Sequence, residues 1–316
     1  MIKNRRAFIV GIKGYNLSKK EAFFLKKYKP WGIILFSRNI KSINQTKRLN
    51  SQIRKLFLDN KYPIFIDEEG GIVSRLNRIL LTSSFSGEYF GKKYQNEKHN
   101  FNSYVDIYIN QISFLLKNIG ININNSPILD IRNKCSDIVI GNRAFSVNKK
   151  IVSQIGKIFI KKFHDNKIAT VIKHIPGHGL AKVDSHKKTP IVTQNLKYLI
   201  DNDFFPFKNQ KSLFAMTAHI IFKSIDKNFT VTHSKKAISI IRNIIKFKHL
   251  IITDDISMKS LKFSISENTV KAFNAGCNLV LHCNAKMNEM KKVAENSPRI
   301  DNFIMKKTLE FYKLID

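Results

Sequence analysis

A chain of 316 residues, 43% of them hydrophobic and with only 13 Gly and 7 Pro, can bury a large core and is too apolar for a disordered protein. Lys and Arg number 55 against 23 Asp and Glu, a formal charge of +32 that raises the question of a polyanionic partner. No apolar run approaches the ~18 residues a membrane span needs, and the run after MIKNRR is too short for a secretory signal, so a cytoplasmic protein is expected.

In chain order the sequence gives eight short, nearly continuous apolar runs: Phe8–Ile12, Gly32–Phe36, Pro63–Asp67, Ser126–Ile131, Ala169–His174, Phe214–His219, Leu250–Asp255 and Asn278–Cys283. Strands buried on both faces have this composition, and parallel sheets are buried on both faces. Helical spacing fills the gaps at Ile43–Phe57, Tyr104–Ile119 and Ile151–Asn166, and the long gap between the third and fourth runs has room for further helix. Strand and helix alternating about eight times predict a single-domain α/β protein over residues 1–316, a (β/α)₈ barrel of the TIM type. Its three cysteines, Cys135, Cys277 and Cys283, are odd in number and lack a CxxC pair, which favours thiols over a disulfide or zinc site.

The ends of the runs carry the chemistry. Asp67 closes the third run, Asp130 the fourth, Lys173–His174 the fifth, His219 the sixth and Asp254–Asp255 the seventh. A single acid after a strand often only caps the next helix. So many ionisable ends fit one shared site, because a barrel of this type gathers its functional groups at the C-terminal ends of its strands.

Four segments stand out. In PIFIDEEGGIVSRL, Gly70–Gly71 lets the chain bend after the strand, so that Asp67 can face a pocket with Arg75 a short way on. IGNRAFS puts Arg143, with its rigid two-pronged donor, in a loop after the fourth strand. KHIPGHGLAKVDSHKKTP joins Lys173 and His174 to an irregular turn, then to Asp184 and His186 two residues apart. A carboxylate beside an imidazole fixes its tautomer and raises its pKa, which suits a general acid that later acts as base. Those histidines lack the helical spacing of a zinc site, so an acid/base pair is favoured over a metal. LIITDDISM ends a strand in two acids. Successive strand residues face opposite ways, so one of Asp254 and Asp255 should enter the pocket. With no GxxxxGK[ST] loop to go with a magnesium role, a carboxylate nucleophile is the better reading.

FIDEEGG, NSPILDI, GNRAFS, KHIPGHG…DSH, AMTAH and ITDDISM occur in the order found in family-3 glycoside hydrolases, and the chain resembles the short β-N-acetylglucosaminidases (β-hexosaminidases) of that family that act in bacterial peptidoglycan recycling. The resemblance runs from GIILFSRN to AGCNLVLHCN, and KHxPGHG with a downstream DSH is its most specific part. It implies Asp254 as nucleophile, His186 as acid/base with Asp184 as partner, and Asp67, Arg75, Arg143, Lys173 and His174 as sugar-binding residues. It further implies a retaining double displacement on GlcNAc–anhydro-MurNAc muropeptides, with no metal or cofactor and a histidine in place of the usual second carboxylate. The chain departs from the family pattern twice. Ile72 stands where EGGRV has Arg, which removes either an ion pair behind the site or a sugar contact, and DEEGG replaces DQEGG, adding a charge at Glu68.

Within the same fold, phosphorolysis or β-glucosidase activity are rival chemistries. From another class, the +32 charge raises a decayed basic barrel that binds polyanions. The lysines are scattered in ones and twos among abundant Asn and Ile, a pattern of compositional drift more than of a selected binding surface. The expectation is therefore a monomeric enzyme with a small carbohydrate substrate, no membrane partner and no specific nucleic acid, beyond weak salt-sensitive binding.

Overall fold

The computed structural model describes residues 2–133, 139–183, 185 and 188–316. Eight strands form a closed barrel: β1 (Arg6–Gly11), β2 (Pro30–Leu35), β3 (Ile64–Ile66), β4 (Ile123–Asn124), β5 (Ala169–Ile175), β6 (Phe214–Thr217), β7 (Leu250–Asp255) and β8 (Leu279–His282). Each pairs in parallel with its sequence neighbours, and β1 meets β8 with Phe8 opposite Val280. Between the strands run α1 (Lys19–Tyr28), α2 (Ile43–Phe57), α3 (Gly87–Asn96), α4 (Phe101–Ile119), α5 (Lys149–Asp165), α6 (Leu196–Asp201), α7 (Lys235–Asn243) and α8 (Ile265–Ala275). The (β/α)₈ architecture expected from the apolar runs is the one observed, and α3 with α4 occupies the long gap after β3.

The alternation of strand side chains divides the core in two. Ala7, Ile9, Trp31, Ile34, Phe65, Val171, Phe214 and Leu281 point into the barrel. Phe8, Val10, Ile33, Leu35, Ile64, Ile172 and Val280 pack outward against the helices. Helix α9 (Met287–Asn296) follows β8, and α10 (Asn302–Leu314) then closes the N-terminal end of the barrel. There Phe311 packs on Trp31 and Phe214, and the Trp31 indole donates to Thr308 Oγ1 at 2.9 Å. With that end plugged, the strand C-termini are the open end.

Helix starts follow local chemistry. Ser18 and Glu21 form a reciprocal cap on α1, as Ser264 and Glu267 do on α8, and Asn148 caps α5. One expected strand needs correction. The fourth run, Ser126–Ile131, is not the strand; β4 is Ile123–Asn124, just upstream. Pro127 has no N–H to give to a ladder. The segment nevertheless runs beside β5, with Ile128 bridged to Lys173 and the Leu129 N–H donating to Lys173 O at 2.9 Å, and so Asp130 is still delivered to the strand ends. Among the described residues no helix is long and apolar enough to cross a membrane. Cys277 and Cys283 are free, the first buried and the second half-buried; Cys135 lies outside the described residues.

Candidate active site at the strand ends

The turn after β3 supplies the first group of side chains. Gly70, at φ +79°, presses so close to its surroundings that a Cβ there would sit 2.2 Å from Phe85 O and 2.8 Å from Tyr108 Oη. The bend turns Asp67 and Glu69 toward the same lysine. Lys173 Nζ, at the end of β5, donates to Asp67 Oδ1 at 3.0 Å and lies 2.6 Å from Glu69 Oε1. Asn125 Nδ2 donates to Asp67 at 3.0 Å, and Arg75 Nη2 is 3.7 Å from the other Asp67 oxygen. Arg143 grips Glu69 with two prongs, Nε at 2.8 Å and Nη2 at 2.9 Å.

The electrostatics of this cluster are mutual. Burial alone would push the Asp67 carboxyl up, but the charges of Lys173 and Arg75, with hydrogen bonds from Lys173 and Asn125, hold it well below the usual carboxylate range. Burial likewise opposes ionisation of Glu69, and Arg143 with Lys173 overrides it. Lys173 is raised by Asp67 and Glu69 against its own desolvation. The result is a fixed array of ionised donors and acceptors, suited to a ligand covered with hydroxyl and amide groups.

A second group forms around Asp130, which is fully buried. Its carboxylate accepts from the backbone N–H of His174 at 3.1 Å, from that of His178 at 2.7 Å, and from His174 Nδ1 at 2.7 Å. Burial would raise Asp130; the His174 charge and hydrogen bond lower it. With Nδ1 donating to a carboxylate, His174 offers Nε2 from the opposite edge of the ring. His178 is buried and its pKa pushed down to about 4 by desolvation and then by His174, so it is neutral. Its Nε2 lies 3.4 Å from Ser185 Oγ.

The third group closes the ring of strand ends. Asp255 Oδ1 accepts from the N–H and Oγ of Ser257 and, at 3.2 Å, from the Cys283 N–H, so this acid ties β7 to β8. Asp254 Oδ1 accepts from the Asp255 N–H at 2.7 Å. The neighbouring His219 is buried, with Nδ1 2.7 Å from Thr232 Oγ1 and Nε2 3.1 Å from the Asp255 carbonyl. A carbonyl can only accept, so Nε2 carries the proton. Burial lowers the His219 pKa while Asp254 and Asp255 oppose the shift. Burial pushes the Cys283 thiol up, reinforced by Asp255, Asp67 and Asp254 together. Acids from both β3 and β7 thus act on the one thiol at the end of β8.

Asp67, Arg75, Lys173 and Arg143 are therefore brought together, Arg143 by way of Glu69, while His174 is held by Asp130 and Asp254 stands at the end of β7. Asp184 and His186 lie outside the described residues. Ile72, at the position of the family Arg, is 67% exposed and is not part of the cluster. Glu69 and Asn125 were not singled out in the sequence. A signal for Glu69 existed, because residues two apart after a strand share a side and Asp67 and Glu69 flank Glu68.

Residues 5–307, nearly the whole chain, match the Glycosyl hydrolase family 3 N terminal domain. The chain belongs to glycosyl hydrolase family 3. The Beta-hexosaminidase of Haemophilus ducreyi is 31% identical over 287 residues, covering 87% of this chain and 80% of that protein. That of Idiomarina loihiensis is 29% identical over 294 residues, 92% of this chain and 87% of the other. The Beta-hexosaminidase A of Pseudoalteromonas piscicida is longer, and the match spans 46% of it at 28% identity. Among solved structures, NagZ from Neisseria gonorrhoeae in complex with N-trifluoroacetyl-D-glucosamine superposes with a TM-score of 0.86 at 26% identity, covering 99% of this family-3 chain and 90% of the other. The family-3 chain is a glycosidase.

Proposed function

We propose that this glycosidase is an exo-acting, retaining β-N-acetylglucosaminidase that removes terminal GlcNAc from peptidoglycan fragments of the GlcNAc–anhydro-MurNAc type. One observation carries the proposal: a largely buried lattice of Asp67, Glu69, Lys173 and Arg143, with Arg75 beside it, stands at the same open end of the barrel as Asp254 at the end of β7. The β-hexosaminidase names of the relatives support the choice of sugar.

Asp67, Lys173, Arg75 and His174 Nε2 hold the hydroxyl and N-acetyl groups of the sugar, and Arg143 acts by fixing Glu69. Asp254 attacks the anomeric carbon as His186 gives its proton to the departing oxygen, breaking the glycosidic bond and leaving a glycosyl ester on Asp254. Water then enters, losing a proton to His186, and Asp254 leaves as a carboxylate with the β configuration restored. Asp184 orients the His186 ring, an assignment that rests on the DSH motif. Asp254 is chosen over Asp255 as the first acid of the TDD motif, and Asp255 Oδ1 serves to tie β7 to β8 through Ser257 and Cys283. The free thiols Cys277 and Cys283 fit a cytoplasmic site of action.

The purified protein should release nitrophenol from 4-nitrophenyl N-acetyl-β-glucosaminide and not from the β-glucoside. Asp254→Ala should abolish release and His186→Ala should cut it by about 10²–10⁴-fold, the range of a lost acid/base. Wild-type rates in either variant would remove that residue from the mechanism.

A further inference from the structure

One carboxylate at the head of the site faces away from it. Glu68 is 1% exposed, between Asp67 and Glu69, and its side chain reaches across to the irregular segment that carries Arg75. Oε2 accepts from Ser74 Oγ at 2.9 Å, the Arg75 N–H at 2.8 Å and the Leu76 N–H at 3.1 Å, while Oε1 accepts from Thr82 Oγ1 at 2.8 Å. Its own backbone is pinned to β4 through Asn124, which accepts from the Glu68 N–H at 3.0 Å and donates to the Glu68 carbonyl at 2.8 Å. Backbone bonds also tie this segment to the turn, from Glu69 N–H to Val73 O at 3.0 Å and from Gly71 N–H to Thr82 O at 2.9 Å. The two asparagines therefore divide the work: Asn125 supports Asp67, and Asn124 supports Glu68.

We propose that Glu68 is a positioning residue, whose carboxylate gathers Ser74, Arg75, Leu76 and Thr82 and so sets the Arg75 guanidinium beside Asp67 and over the Phe36 ring. The guanidinium carbon is 5.4 Å from that ring. Burial pushes the Glu68 carboxyl up despite its four donors, and the Tyr108 hydroxyl of α4 lies within electrostatic reach of both Glu68 and Glu69. Accepting capacity is what the clamp uses, and the negative charge is dispensable. A glutamine could keep its oxygen toward Ser74, Arg75 and Leu76 and donate its amide to Thr82 Oγ1.

The inference rests on the N-acetylglucosaminidase reading for its kinetic consequence, and on the hydrogen bonds alone for its structural one, so both are measured. Hydrogen exchange of residues 71–82 should be wild-type in E68Q and faster by at least about tenfold in E68A at the Arg75 and Leu76 amides. With the 4-nitrophenyl substrate, E68Q should keep the wild-type KM, and E68A should raise KM about tenfold with kcat within about threefold. In an R75A background, adding E68A should change KM by less than about twofold, because both changes remove the same contact. A KM penalty of equal size in both backgrounds would overturn the positioning role, as would unchanged exchange in E68A. If E68A does not fold, S74A/T82V cuts two of the four bonds and is read in the same cycle. A wild-type protein without turnover would refute the activity and leave the clamp to be decided by exchange.

Discussion

Lys173 is held between two carboxylates, and each of the three groups depends on the others for its charge. It is 3% exposed, 3.0 Å from Asp67 and 2.6 Å from Glu69. Asp67 and Glu69 are both held below their ordinary carboxyl values, so their contribution to stability is present above the unfolded carboxylate range and lost as pH falls toward the folded values. Lys173→Met would remove the cation and leave two buried acids with weaker compensation. Such uncompensated buried charge typically costs about 3–5 kcal/mol. We expect Lys173→Met to lower the urea midpoint at neutral pH accordingly and to abolish turnover. An unchanged midpoint would show that Arg75 and Arg143 suffice to balance the acids.

At the scale of elements, the site depends on how tightly α3 rests on the loop bearing Arg143. A Cβ on Gly91 would lie 1.6 Å from Phe145 O, so the helix and the loop touch backbone to backbone. Gly91→Ala should force them apart at about 1–3 kcal/mol and raise KM by loosening the Arg143–Glu69 pair. Gly14→Ala, where an added Cβ meets nothing within 4 Å, is the matched control and should leave KM and thermal midpoint alone. Equal behaviour of the two variants would disconnect α3 from the site. The elements were largely legible because strands buried on both faces leave unbroken apolar runs, and α2 was legible to its last residue. Two features were not. The chain around Pro127 is as apolar as a strand, so apolarity put β4 too far downstream. Glu68 is hidden by its neighbours: DEEGG presents three adjacent acids, alternation turns the middle one away from the other two, and nothing in the sequence shows that the segment 74–82 folds back to meet it.

For the molecule as a whole, the barrel sets the division of labour. One end is sealed by α10, with Trp31, Phe214 and Phe311 packed at the plug, and the strand ends at the other gather acids, imidazoles and cations from β3 to β7. The cations of the site, Lys173, Arg143 and Arg75, are paired with Asp67 and Glu69, so the excess behind the +32 charge lies elsewhere on the chain. If Asp254 is the nucleophile, every turnover passes through a sugar ester on that side chain. Acid-quenching the enzyme during turnover of the 4-nitrophenyl substrate and mapping its peptides by mass spectrometry should then find one added N-acetylhexosamine, carried by the peptide containing Asp254 and localised to that residue. Attachment at Asp67 or Asp255, or full turnover by Asp254→Ala, would contradict that role.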